Sequence, residues 1–293
     1  MTETSRLARI PGTGTDVLID GDGTGSVRTP AGRFLRLQSP PSGLIDTLTG
    51  ATGGEEASSA YADRLTEVMA ARERGDAERR WPAGRRDVVL LGGGPVLDVL
   101  AEVLGELGAG ITRNRGGTAD AAADGPAPSA AAPGSEAAIE AGPGRRRLVV
   151  AFAETPAERA DWAAFGSLPE HGTAWLGGYR EGDNCFVDPI RLSADDPTAD
   201  QVQKRRLAAS PVPRELAAWQ RSATRAPPAL PAAARTLLIG RMLTVALAWA
   251  QETDELTRFR TSLWKYVSAS ATATEHTVLG YPEPHAPGCE AGA

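Results

Sequence analysis

Cysteine, histidine and lysine are all scarce in this 293-residue chain: it has two cysteines, Cys185 and Cys289, and three histidines, His171, His276 and His285. Two thiols exclude a four-thiolate zinc site and a disulfide framework, and the histidines show no H-x-x-x-H spacing, so no metal is expected. The only lysines are Lys204 and Lys265, and neither follows a glycine-rich loop, so there is no Walker lysine to hold a phosphate. Positive charge is also in deficit, with 31 Lys and Arg against 37 Asp and Glu and a net charge of −6. That balance leaves no basic footprint for nucleic acid. No apolar run reads as long enough to span a membrane, and the start, Met1 to Arg6, lacks the apolar core of a signal peptide. A cytoplasmic protein with no membrane or nucleic-acid partner is the expectation.

What the chain does have is a strand–glycine–helix unit. Val88 to Leu91 form an apolar run suited to a buried parallel strand, Gly92, Gly93 and Gly94 allow a tight turn, and Pro95 can begin a helix. A helix N-terminus at the end of a strand can hold phosphate. The dinucleotide fingerprint G-x-G-x-x-G fits Gly92 and Gly94, but Leu97 stands where the third glycine belongs. The next strand, Gly110 to Arg113, ends in Thr112, Arg113 and Asn114 instead of the acid that binds a ribose. The unit therefore predicts a Rossmann-like core with a vestigial loop, and no cofactor.

Three stretches organise the rest. Residues 1–80 read as a small domain: strands at 16–20, 26–28 and 32–38, then helices at 42–48 and 58–74, which gives a three-stranded sheet backed by helices. Residues 81–293 read as one α/β domain, interrupted at about 116–144 by an Ala/Gly/Pro/Ser stretch whose composition predicts disorder. Further strands are expected at 147–152, 173–177, 184–189, 261–267 and 275–279. Helices are expected at 157–165 and 231–252, the first capped by Thr155-Pro156. The 231–252 helix is apolar around much of its surface through Leu237, Leu238, Met242, Val245, Leu247 and Trp249, which marks it for the core or for association with a partner or a second copy. Asp195, Asp196 and Asp200 read as a solvated acidic loop.

In this order the pieces resemble the E1-like (ThiF-related) partner proteins of azoline-forming cyclodehydratases, which act on ribosomally made peptide natural products. The segments 16–21 and 32–37 look like the first and third strands of that family's PqqD-like, winged-helix peptide-recognition domain, and 88–95 is similar to its degenerate nucleotide loop. Phe186-Val-Asp-Pro-Ile190 matches a segment written V-G-P-L-V in relatives, with Asp188 in place of glycine, and His285-Ala-Pro-Gly-Cys289 resembles a closing H-P-x-C-x-C motif. The P-C-x-x-C pair of zinc-containing relatives has no counterpart here.

The resemblance implies a winged-helix-like α+β domain followed by a degenerate Rossmann-like E1 core. It also implies a protein that is not a catalyst by itself but binds a precursor's leader peptide for a YcaO-type cyclodehydratase or another modifying enzyme, with a homodimer as a further expectation. The peptide would add as a strand to an edge formed by Phe34, Leu35, Arg36 and Leu37, facing a helical wall of Leu65, Val68 and Met69. Alternatively these residues simply build the small core. Two other readings stand beside this one: an adenylating E1-like enzyme whose ATP residues have diverged, and a nicotinamide-dependent oxidoreductase resting on Gly92 and Gly94.

Overall fold

The computed structural model describes residues 5–51, 56–114, 146–223 and 228–281. The expected disordered stretch at 116–144 and the closing motif with His285 and Cys289 lie outside the described residues. The chain divides into two compact units, Met1–Arg79 and Arg80–Ala293.

In the smaller unit, β1 (Arg6–Arg9), β2 (Asp16–Ile19), β3 (Gly25–Arg28) and β4 (Phe34–Leu37) form an antiparallel meander in that order. The sheet has four strands, not three. β1 escapes detection because Arg-Leu-Ala-Arg turns only Ala8 inward and shows no apolar alternation. Helices α1 (Leu44–Thr49) and α2 (Glu56–Arg80) follow, the second running beyond the expected 58–74 at both ends. Ala8, Ile10, Val17 and Val27 from the sheet side meet Leu44, Ile45, Ala62, Leu65 and Met69 from the helices to make the core. Glu73 of α2 ties the helix to the β1–β2 turn by accepting from the Gly14 amide at 3.0 Å and from the Thr15 hydroxyl at 2.7 Å.

The larger unit is built on a seven-stranded mixed sheet. Its elements are β5 (Asp87–Leu91), α3 (Pro95–Glu106), β6 (Gly110–Asn114), β7 (Arg147–Ala153), α4 (Pro156–Ala160), β8 (Thr173–Glu181), β9 (Asn184–Val187), α5 (Ala199–Ala208), α6 (Pro213–Ser222), α7 (Ala232–Gln251), α8 (Glu255–Phe259), β10 (Ser262–Val267) and β11 (Thr272–Thr277). The spatial order is β11-β10-β9-β8-β7-β5-β6. β6, β5, β7 and β8 run parallel, and β8 through β11 antiparallel. Parallel strands are covered on both faces, so β7 and β8 bury almost every residue regardless of which side it faces. One face carries α3 and α7, with Leu97, Leu100, Leu238, Met242 and Trp249 packed on Val88, Leu90 and Val150. On the other, Trp162, Leu168 and Val202 cover Val89, Val149, Trp175 and Phe186.

Several expectations change in this unit, among them those for α7, for the helix at 157–165 and for Asp196. α7 is long and apolar enough by length and composition to cross a membrane, so a stretch of spanning length does exist; Ala234, Leu238, Met242, Val245 and Trp249 are nevertheless buried in the core. The helix expected at 157–165 is α only to Ala160 and continues as a 3-10 turn, Asp161–Phe165, although the Thr155 hydroxyl does accept from the Glu158 amide at 3.3 Å. Asp196 is not solvated. It is buried and accepts from the amides of Leu192 and Ser193 at 2.7 and 2.9 Å and from Arg260 Nε at 2.9 Å, which anchors the loop before α5.

Candidate functional sites: a glycine loop and an open strand edge

The glycine loop sits where β5 hands over to α3, and two of its glycines have geometric reasons. Gly92 has φ 106° and a Cβ there would lie 3.1 Å from the Phe152 carbonyl oxygen; Gly94, the residue before α3, has φ 93°. Pro95 occupies the first helical position and no side chain caps the helix. Loop shape thus suits a phosphate, but its surroundings do not. Leu97 is buried in the place of the third glycine, with its Cδ1 3.4 Å from where a Gly92 Cβ would stand. Arg113, at the end of β6 where a ribose-binding acid would be needed, folds back on α3 to pair with Asp98 and donate to the Leu97 carbonyl at 2.9 Å. Glu154, at the end of β7, points its carboxylate toward Gly94. Its cation, Arg180, is buried 3.2 Å away and also donates to the carbonyls of Gly182 and Pro228, each at 2.8 Å. A phosphate on these amides would face Glu154, and the cations Arg180 and Arg113 are already paired with Glu154 and Asp98. The residues present do not fit a nucleotide.

A second concentration of polar groups lies under the β8–β9 hairpin, and sequence reasoning missed it. Arg206 of α5 grips Glu181 with both terminal nitrogens, at 2.8 and 2.5 Å, and Gln220 of α6 donates to the same carboxylate at 2.8 Å. Burial pushes the Glu181 carboxyl up, but the Arg206 contacts and the Gln220 hydrogen bond outweigh it and hold the group below its ordinary value. Arg159 lies over the Tyr179 ring at 3.8 Å and 3.6 Å from Asp188. Desolvation raises the pKa of both Tyr179 and Asp188, and the Arg159 guanidinium beside them opposes that rise. Asp188 is thus a buried partner for Arg159. Among the described residues no group of His, Cys, Asp and Glu could hold a metal ion.

The predicted peptide-binding residues separate into two sets. β4 is the outer strand of the small sheet, paired only with β3, so one row of its main-chain groups has no strand partner among the described residues. Along β4, Leu35 and Leu37 turn toward the small core while Phe34 and Arg36 are exposed, Phe34 at 62%. On α2, Leu65 and Met69 are buried in that core and Val68 stands out at 55% exposure. The geometry therefore brings Leu35, Leu37 and the α2 stripe together and leaves Phe34, Arg36 and Val68 available on the surface. Tyr61 of α2 donates its hydroxyl to the Gln38 carbonyl at 3.1 Å and so fixes the end of β4 against α2.

No protein-family model and no curated protein sequence matches the chain. Solved structures do. A chain of the E. coli microcin synthetase McbBCD complex with pro-MccB17 bound aligns at 11% identity and a TM-score of 0.50, over 94% of this chain and 97% of that one. E. coli MccB aligns at 10% identity and 0.46, over 95% and 93%, and the heterocyclase TruD at 13% and 0.45, over 95% and 42%. At such identities the first of these likenesses is one of fold.

Proposed function

We propose that this chain is a non-catalytic partner that binds the leader of a ribosomally made precursor peptide and delivers the core peptide to a YcaO-type cyclodehydratase or another modifying enzyme, acting in the cytoplasm. The observation that carries the reading is the open β4 edge, with Phe34 and Arg36 exposed on the strand and Val68 exposed on α2. A leader in extended form adds to that edge by main-chain hydrogen bonds, and alternate side chains select the sequence. Arg36 suits an acidic leader residue. Two further features support this reading: the glycine loop is faced by the Glu154 carboxylate, which speaks against nucleotide chemistry in this chain, and the fold is like that of a chain from a microcin synthetase complex with pro-MccB17 bound. Holding the leader raises the local concentration of a weakly bound core peptide at the modifying enzyme, with no chemistry required of the carrier.

Fluorescence polarisation with the labelled leader encoded beside this protein tests the idea. The full chain should bind it, and Phe34→Asp with Val68→Asp should weaken binding at least about tenfold, the loss of a partly buried apolar contact. Because both side chains are exposed, the variant keeps its fold. The proposal fails if the full chain does not bind the leader, or if the folded variant binds it equally well.

A further inference from the structure

A cleft of about 410 Å³ opens in the larger unit, between the sheet face of β9, β10 and β11 and the wall made by α5 and the start of α6. Its floor is apolar: Phe186, Leu263 and Val278. Its charged lining is all of one sign, with Arg205, Arg206 and Lys265 present and no carboxylate among the lining residues. Arg206 is committed to Glu181 and lies over the Phe186 ring at 4.0 Å. Lys265, one of only two lysines in the chain, approaches the same ring at 6.0 Å, and among the described residues neither it nor Arg205 forms an ion pair. A half-buried ammonium over an aromatic floor, with no counter-charge, is a site for an anion on an apolar stem.

The cleft reaches the rim of the sheet. β11 is the outermost strand, regularly paired to β10 along its whole length, exposed at every residue and without a strand partner on its other side among the described residues. His276 and Thr277 of β11 line the cleft. The one acid of β11, Glu275, turns to the opposite face, where it binds Arg241 at 2.8 Å and the Ser262 hydroxyl at 2.8 Å, so it does not repel an anion arriving on the cleft side. A strand added to β11 would run about 4.8 Å from it and present alternate side chains to this face.

We propose that this cleft is a docking site for an extended acidic polypeptide segment, separate from the β4 edge. The segment's main chain adds to β11 as a further strand, and a Glu side chain reaches across β11 to pair with Lys265 and Arg205. Charge complementarity and the adjoining open edge together select an acidic strand over a free small anion, which would have no use for the edge.

The probe is a fluorescein-labelled peptide Thr-Glu-Thr-Leu-Thr-Glu-Thr, which puts Glu, Leu and Glu on one face. It is compared by polarisation with its Gln-for-Glu analogue and with an analogue N-methylated at alternate amides. The full chain should bind the acidic peptide at least tenfold more tightly than either analogue. Lys265→Gln with Arg205→Gln should lose that advantage, Lys265→Arg should retain it, and Phe34→Asp should leave it unchanged, which separates this site from the leader-binding proposal. Circular dichroism checks that each variant is folded. Absence of binding, equal binding of the Gln peptide, undiminished binding of the N-methylated peptide (a small-anion pocket only), or loss on Phe34→Asp would each overturn the proposal.

Discussion

Restoring the third glycine of the nucleotide fingerprint, Leu97→Gly, should damage this protein and not create a cofactor site. Leu97 is 1% exposed, belongs to the main core with Val88, Leu90 and Leu100, and fills the space beside Gly92. Emptying a buried leucine site to alanine costs about 2–5 kcal/mol, and glycine inside a helix costs about 1 kcal/mol more, so a loss of roughly 3–6 kcal/mol is expected. The measurement is unusually clean. All six tryptophans lie between Trp81 and Trp264, within the larger unit, so urea unfolding followed by tryptophan fluorescence reports that unit alone. The same samples are then melted with and without ATP or NAD at high concentration, where a ligand held at a hundred times its Kd would add about 2.7 kcal/mol. A loss below about 1 kcal/mol would refute the packing argument. Ligand-dependent stabilisation of the variant would show that Leu97 merely blocks a competent site, and would refute the reasoning from Glu154 and Arg113.

Two other outcomes follow from burial and charge. Burial pushes the Cys185 thiol up to about 12, so in a Cys289→Ser protein at pH 8 iodoacetamide should leave Cys185 unmodified until denaturant is added; rapid labelling of the native protein would contradict the placement of Cys185 between β8 and β10. Glu181, held below its ordinary 4.5 by Arg206, contributes stability that is complete above that value and is lost as pH falls through its depressed folded value. The difference in urea midpoint between the native chain and Arg206→Met should therefore shrink as the pH is lowered from about 5. A difference independent of pH would exclude the ion pair as its source.

The sequence announced the parallel strands and α7 because their signal is composition: β5, β7 and the start of β8 are apolar on both faces, and no register is needed to read them. Elements that bury little stayed hidden. α5 buries only Gln201 and Val202, and the legible sign was its capping box, in which the Thr198 hydroxyl accepts from the Gln201 amide and the Gln201 side chain answers to the Thr198 amide. α6 buries no residue at all, and its sign was Pro213 in the first turn. β11 was placed three residues late because Val278 and Leu279 are apolar, whereas the true strand, Thr272–Thr277, is held by pairing to β10 with every side chain exposed. The same difficulty governs the β4 edge. Which of Phe34, Leu35, Arg36 and Leu37 turns inward is set by pairing with β3, and four residues in isolation do not encode it. Leu65 and Met69 likewise share a stripe with Val68 in sequence, yet only packing decides that they face the core.

The two halves of the large sheet are assembled from the chain in different ways. β8 and β9 are joined by the two residues Gly182 and Asp183, and β10 folds back into β11, so each of these two hairpins closes between near neighbours, on the scale of about 1–10 μs, whereas β9 and β10 pair Val187 with Trp264, 77 residues apart. The parallel half pairs Asp87 with Arg147, 60 residues apart, and β7 pairs with β8 across a shorter connection. The two hairpins are therefore local, and the β5–β7 and β9–β10 pairings are the ones that close long spans of chain. Because closure entropy grows only with the logarithm of loop length, halving the chain between β6 and β7 would lower the β5–β7 closure by less than about 0.6 kcal/mol. The span between those strands can thus vary widely in length among descendants of this chain while the sheet, and the edge at its far end, stay as they are.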